Sequence, residues 1–117
     1  MLAPAQLNSA IDQVLQARPD AFLAIVQAYG PGLRAYISSR LFHLDDVDDL
    51  AQETFIAAYR GLNTFRRSDD FGAWLRGIAR NKMLRFFEQI ALWHGGALYR
   101  ILIRLIQFFI RRLILLR

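Results

Sequence analysis

The sequence predicts an all-α fold, a compact bundle of about four helices plus an additional C-terminal amphipathic helix. Three observations predict it. Apolar residues recur at i, i+3, i+4 and i+7 through most of the chain, no stretch alternates apolar and polar residues between turn formers, and proline, glycine and aspartate fall where helices start and stop. A chain of 117 residues can bury one core of ordinary size but not two. Residues 1–94 are therefore expected to form one helical domain and residues 95–117 an appended helix.

The first helix is predicted over residues 5–17, with Pro4 near its start, an apolar stripe of Leu7, Ile11, Val14 and Leu15, and Pro19 ending it. Asp20 suits a cap for the next segment, in which Phe22, Leu23, Ile25, Val26 and Tyr29 repeat at helical spacing up to Gly30-Pro31-Gly32. A break or kink is expected there, because proline removes a backbone donor and crowds the carbonyl four residues back. Leu33, Tyr36, Ile37, Arg40 and Leu41 resume the pattern, so residues 20–42 form one bent helix or two short ones. Asp45 is the expected cap of a third helix over residues 46–62, and Asp46, Asp48 and Asp49 favour the positive end of its dipole. Its predicted inner face is Val47, Leu50, Ala51, Thr54, Phe55, Ala58, Tyr59 and Leu62. Gly61 to Asp70 is polar and turn-prone, the main internal loop, with Phe65 as its one aromatic. A fourth helix is predicted from near Asp70 to about Leu92, and Gly95-Gly96 separates it from the last helix.

Composition narrows the function classes. No cysteine is present, which excludes disulfides and thiolate chemistry and suits a reducing, cytoplasmic setting. The opening residues lack the charged start, apolar run and small-residue cleavage site of a secretory signal. His43 and His94 stand far apart, without metal-ligand spacing, and are read as ordinary surface or core residues. No paired carboxylates, nucleophile with a base, or glycine-rich phosphate loop stands at workable spacing, so no catalytic residue is predicted. The net charge of +5 lies wholly in residues 97–117, which hold five arginines and no acid. Residues 1–53 carry three bases against seven acids and residues 54–96 seven bases against three acids, a polarity that suits two partners of opposite sign.

Two surfaces stand out. On the third helix Asp49, Gln52, Glu53, Ile56 and Arg60 fall on one outward stripe, and an isoleucine ringed by polar groups reads as the apolar centre of a docking surface for a basic partner. The loop and fourth helix combine bases with aromatics in Phe65, Arg66, Arg67, Phe71, Trp74, Arg76, Arg80, Asn81, Lys82 and Arg85. Single-stranded nucleic acid is bound by such a mixture: cations track phosphates, rings stack on unpaired bases, and an amide reaches a base edge. Phe71 shares a face with Leu75 and Ile78 and belongs mostly to the core, with Trp74 at its margin.

Residues 45–60, DDVDDLAQETFIAAYR, resemble region 2.2 of bacterial extracytoplasmic-function sigma factors. Phe65 followed by residues 71–81, FGAWLRGIARN, is similar to that family's regions 2.3 and 2.4, in order and at the right distance. The similarity covers about residues 20–90. It implies that Asp49, Gln52, Glu53 and Ile56 dock on the clamp helices of the largest subunit of core RNA polymerase. It implies that Phe65, Arg66, Arg67, Ser68, Trp74, Arg76, Arg80 and Asn81 open the promoter −10 element and hold a flipped base of the non-template single strand. An anti-sigma factor is a further implied partner; no cofactor or metal is implied.

Family members continue through a linker into a second helical domain that reads the −35 element, and nothing in residues 1–117 matches it, so this chain alone is expected to be a poor initiator. Residues 97–117 are unlike the family: Arg100, Arg104, Gln107 and Arg111 form a narrow polar stripe on an otherwise apolar helix. Such a helix must cover its sides by packing, by self-association or at an anionic membrane surface; five arginines disfavour spanning. The competing reading is therefore a membrane-surface or self-associating interaction protein whose C-terminal helix carries the function.

Overall fold

The computed structural model describes residues 1–41, 43–94 and 97–115, with side chains outside the description at 91–94, 97–100, Ile103, Ile114 and Leu115. The expected Gly95-Gly96 separator, Phe42, Leu116 and Arg117 lie outside the described residues. Five α-helices follow in order: α1 (Pro4–Leu15), α2 (Phe22–Ser38), α3 (Leu44–Arg60), α4 (Phe71–His94) and α5 (Ala97–Leu115), with single 3-10 turns at Pro19–Ala21 and Leu62–Thr64. No strand occurs among the described residues, and the all-α expectation holds. The chain divides into two compact units, Met1–Ala79 and Arg80–Arg117.

In the first unit the helix repeats bury one continuous core. α1 contributes Ala10, Ile11 and Val14, α2 Phe22, Ile25, Leu33, Tyr36 and Ile37, and α3 Val47, Leu50, Ala51 and Ala58. Leu62, Phe65, Phe71, Leu75 and Ala79 complete it. Thr54 is fully buried, and its hydroxyl donates to the Leu50 carbonyl at 2.6 Å, so no polar group is stranded there. Arg34 of α2 and Asp48 of α3 are joined by a half-exposed ion pair of 2.6 Å.

Several boundaries differ from the sequence-based expectation. α1 ends at Leu15, before Pro19 is reached. Ala17 takes a left-handed backbone (φ 66°), the Ala17 N–H donates to the Val14 carbonyl and the Arg18 N–H to the Gln13 carbonyl, the two bonds of a Schellman ending. Pro19 and Asp20 then open a 3-10 turn, and Asp20 makes no capping bond. α2 runs unbroken through Pro31, which faces solvent, as does Gln27 one turn earlier, so water can serve the carbonyl left without a donor. α3 opens one residue before Asp45, with His43 in the extended cap position; Asp45 and Asp46 act from inside the first turn through the helix dipole. Of the predicted inner face, Tyr59 is 42% exposed and Phe55 half-buried, because both sit at the margin of the stripe rather than in its middle.

The second unit comprises the rest of α4 and α5. Its Met83 and Ile110 are buried, and α5 exposes a series of large apolar side chains. No described helix is long and apolar enough to cross a membrane.

Candidate functional site

The outward face of α3 is set by what its inner face buries. With Val47, Leu50, Ala51, Thr54 and Ala58 turned inward, a helix of 3.6 residues per turn must present Asp49, Gln52, Glu53, Ile56 and Arg60 to solvent, and all five are exposed. Ile56 is 50% exposed. Tyr59 lies beside it in helical register, its ring held edge-on by Phe22 of α2 at 5.4 Å, so the apolar centre is two residues wide. Phe55 meets Phe22 at 6.4 Å on the core side. Asp48 is engaged by Arg34, whereas Asp49 and Glu53 form no ion pair among the described residues. The result is an apolar spot with free carboxylates at its rim.

The second surface is built on an aromatic cluster. Phe65 and Phe71 meet edge to face at 5.1 Å, which closes the base of the loop between them. Trp74 packs 5.1 Å from Phe65 and 5.5 Å from Phe71, and Tyr29 of α2 backs Phe71 at 4.9 Å. Burial pushes the Tyr29 hydroxyl above its ordinary pKa, against a backbone hydrogen bond with Leu2 that pulls it down. Phe65, expected on the DNA-facing surface, is 8% exposed. Its ring packs against Phe71 and Trp74 in this cluster. Trp74 keeps partial exposure.

Between the two phenylalanines, Arg66, Arg67 and Ser68 are exposed on a turn in which the Asp69 N–H donates to the Arg66 carbonyl at 2.9 Å. Asp70 starts α4: its carboxylate accepts from the Ala73 N–H at 3.1 Å. Gly72 lies under Arg76, since a Cβ there would stand 3.2 Å from Arg76 Nη1 and 3.2 Å from Asp70 Oδ1. The guanidinium of Arg76 therefore folds back toward the first turn of α4 and the basic loop. Arg67 is tied to Asp12 of α1 by a short charge-assisted hydrogen bond. That bond, with the charge of Arg67 behind it, holds the Asp12 carboxyl below its ordinary 3.8, and the same bond raises Arg67.

Arg80 and Asn81 continue along α4, Arg80 one turn beyond Arg76 on the same helix face. Asn81 is exposed; Arg80 is partly covered, and its Nε is buried with no hydrogen-bond partner among the described residues. No group of three or more His, Cys, Asp or Glu side chains able to hold a metal occurs among the described residues. Sequence reasoning missed Asp12 as the partner of Arg67 and Tyr29 and Phe22 as supports of the two surfaces.

The model of the sigma-70 region 2 family matches residues 25–91, and the chain belongs to that family. It resembles the RNA polymerase sigma factor NccH of Alcaligenes xylosoxydans xylosoxydans, 40% identical over 79 residues, 66% of this chain and 42% of that protein. It is 33% identical over 85 residues to the ECF RNA polymerase sigma factor BldN of Streptomyces coelicolor, covering 72% of this chain and 32% of that one. It is 37% identical over 87 residues to the RNA polymerase sigma factor CnrH of Cupriavidus metallidurans, 73% of this chain and 46% of that one. The chain thus spans about a third to a half of the length of these relatives. Family membership favours the region 2 reading over the competing one in which residues 97–117 carry the function on an idle scaffold.

Proposed function

We propose that residues 1–94 act as the region 2 module of an extracytoplasmic-function sigma factor, docking on core RNA polymerase and recognising and melting the promoter −10 element, in the cytoplasm. The observation that carries this reading is the outward face of α3, where Ile56 stands half exposed among Asp49, Gln52 and Glu53 within a matched sigma-70 region 2. Those four side chains are assigned to the clamp helices of the largest polymerase subunit. An apolar centre with an acidic rim favours a basic partner and disfavours an acidic one.

Arg66, Arg67, Ser68, Trp74, Arg76, Arg80 and Asn81 are assigned to the non-template strand, with Phe65 in the supporting role its burial allows. The module works by binding energy. Unstacking a base costs a few kcal/mol, and stacking on an aromatic face together with phosphate contacts offsets it, which shifts the equilibrium from duplex to melted DNA without covalent chemistry. An anti-sigma factor is a further partner that fits the family.

Fluorescence anisotropy with a labelled single-stranded non-template −10 oligonucleotide tests the DNA half. Affinity should fall with salt, and Arg76→Ala with Asn81→Ala should cost about 1–3 kcal/mol of binding. Affinity unchanged by the double substitution, at equal helix content, would remove α4 from the DNA surface.

A further inference from the structure

α5 carries an apolar face that is exposed among the described residues. Ile101, Leu102, Leu105, Phe108, Phe109 and Leu113 are each about half exposed, from 49% at Leu102 to 62% at Phe109. At about 100° per residue they share one arc of the helix, while the buried Ile110 points away from it. Exposed Arg104 and Arg111 run along one border of that arc, with Arg100 in the same register. Arg112, also exposed, falls inside the arc, between the registers of Ile101 and Leu105 and close to the helix end.

We infer that α5 is a membrane-surface helix that lies in the plane of an anionic bilayer, its apolar arc among the acyl chains and its arginines at the lipid phosphates. Charge selects this occupant. Residues 97–117 hold five arginines and no acid, so a second copy laid against the same face would set five positive charges against five and would trap Arg112 in a dry seam. At a bilayer surface the long Arg112 side chain carries its guanidinium up to the headgroups while its stem stays in the apolar layer. Nucleic acid would satisfy the arginines but leave six large apolar groups in water. Spanning is not the alternative, since no described helix is long and apolar enough to cross a membrane. A region 2 module so tethered would sit at the membrane surface, a location that neither the α3 nor the α4 surface requires.

Flotation of the full chain with vesicles tests this, comparing phosphatidylcholine alone with a 3:1 mixture (about 25% anionic lipid, enough for a basic helix to discriminate) of phosphatidylcholine and phosphatidylglycerol. Binding to the anionic vesicles is expected to be at least about tenfold tighter than to the neutral ones and to weaken with salt. Leu105→Ser with Phe109→Ser, and separately Arg104→Glu with Arg111→Glu, should each reduce it by about tenfold or more, with circular dichroism confirming that the helices persist. No flotation with anionic vesicles, or equal binding by the wild type and both variants, would overturn the inference. So would light scattering that shows a stable dimer, abolished by the Leu105 and Phe109 substitutions, in a chain that ignores vesicles.

Discussion

Asp12 and Arg67 stand 55 positions apart, yet they are joined by a short hydrogen bond across the surface of the first unit. The pair is open to water, so it adds little to stability, but it occupies one of the cations assigned to DNA. Asp12→Asn should therefore free Arg67 and tighten binding of the non-template oligonucleotide by about two- to threefold at low salt, with no gain at high salt; anisotropy titrations at two salt concentrations check it. The Asp12 carboxyl titrates lower in the folded chain than in the unfolded one, so its contribution is present above the ordinary 3.8 and is lost as pH falls through the lower folded value. A carboxyl chemical-shift titration of Asp12, moved upward by Arg67→Ala, checks the direction. No periodic pattern connects residues so distant, which is why this contact was not legible in the sequence. The burial of Phe65 was not legible for a related reason. An aromatic in a polar loop looks the same whether it stacks on a base or pins the loop, and only its contact with Phe71 at 5.1 Å separates the two. Phe71, 2% exposed, is the centre of that cluster, and Phe71→Ala should cost about 3–5 kcal/mol in urea unfolding while releasing the basic loop.

At the scale of elements, α3 was the most legible part of the chain, because a 3.6-residue repeat gives its buried and exposed faces at once. Only the margin was misjudged: Tyr59 lies where the two faces meet, and its 42% exposure widens the apolar centre beside Ile56. The ends of helices were harder to read, since a cap depends on one or two backbone angles. Asp45 and Asp20 are favourable cap residues by type, but the chain enters α3 through His43 and enters α2 through a 3-10 turn. α1 ends on a left-handed alanine, a conformation that costs an L-residue about 1–2 kcal/mol relative to glycine before the greater freedom of unfolded glycine is counted. Ala17→Gly should accordingly raise stability by about 0.5–1 kcal/mol, read as a higher urea midpoint with an unchanged slope. Pro31 shows the opposite limit of sequence reading: a residue that ends most helices is carried inside α2 because its ring and the orphaned carbonyl face solvent.

Across the whole molecule, the charge split between residues 1–53 and 54–96 has a structural counterpart. Five of the seven acids of residues 1–53 lie on α3, and six of the seven bases of residues 54–96 lie on the loop before α4 and along α4, the seventh being Arg60 at the end of α3. Ile56 is half exposed and lies outside the buried set of the first unit, so the α3 face can be altered without disturbing the core. The docking proposed for the α3 face is the claim that most needs a test. The most direct measurement is the affinity of core RNA polymerase for the full chain, labelled away from α3, alongside Ile56→Glu. The wild type should bind, and be displaced by an intact extracytoplasmic-function sigma factor. The variant should bind at least about tenfold more weakly while melting at the same temperature. Equal affinity of the two chains, or binding that an intact sigma factor does not displace, would contradict the account.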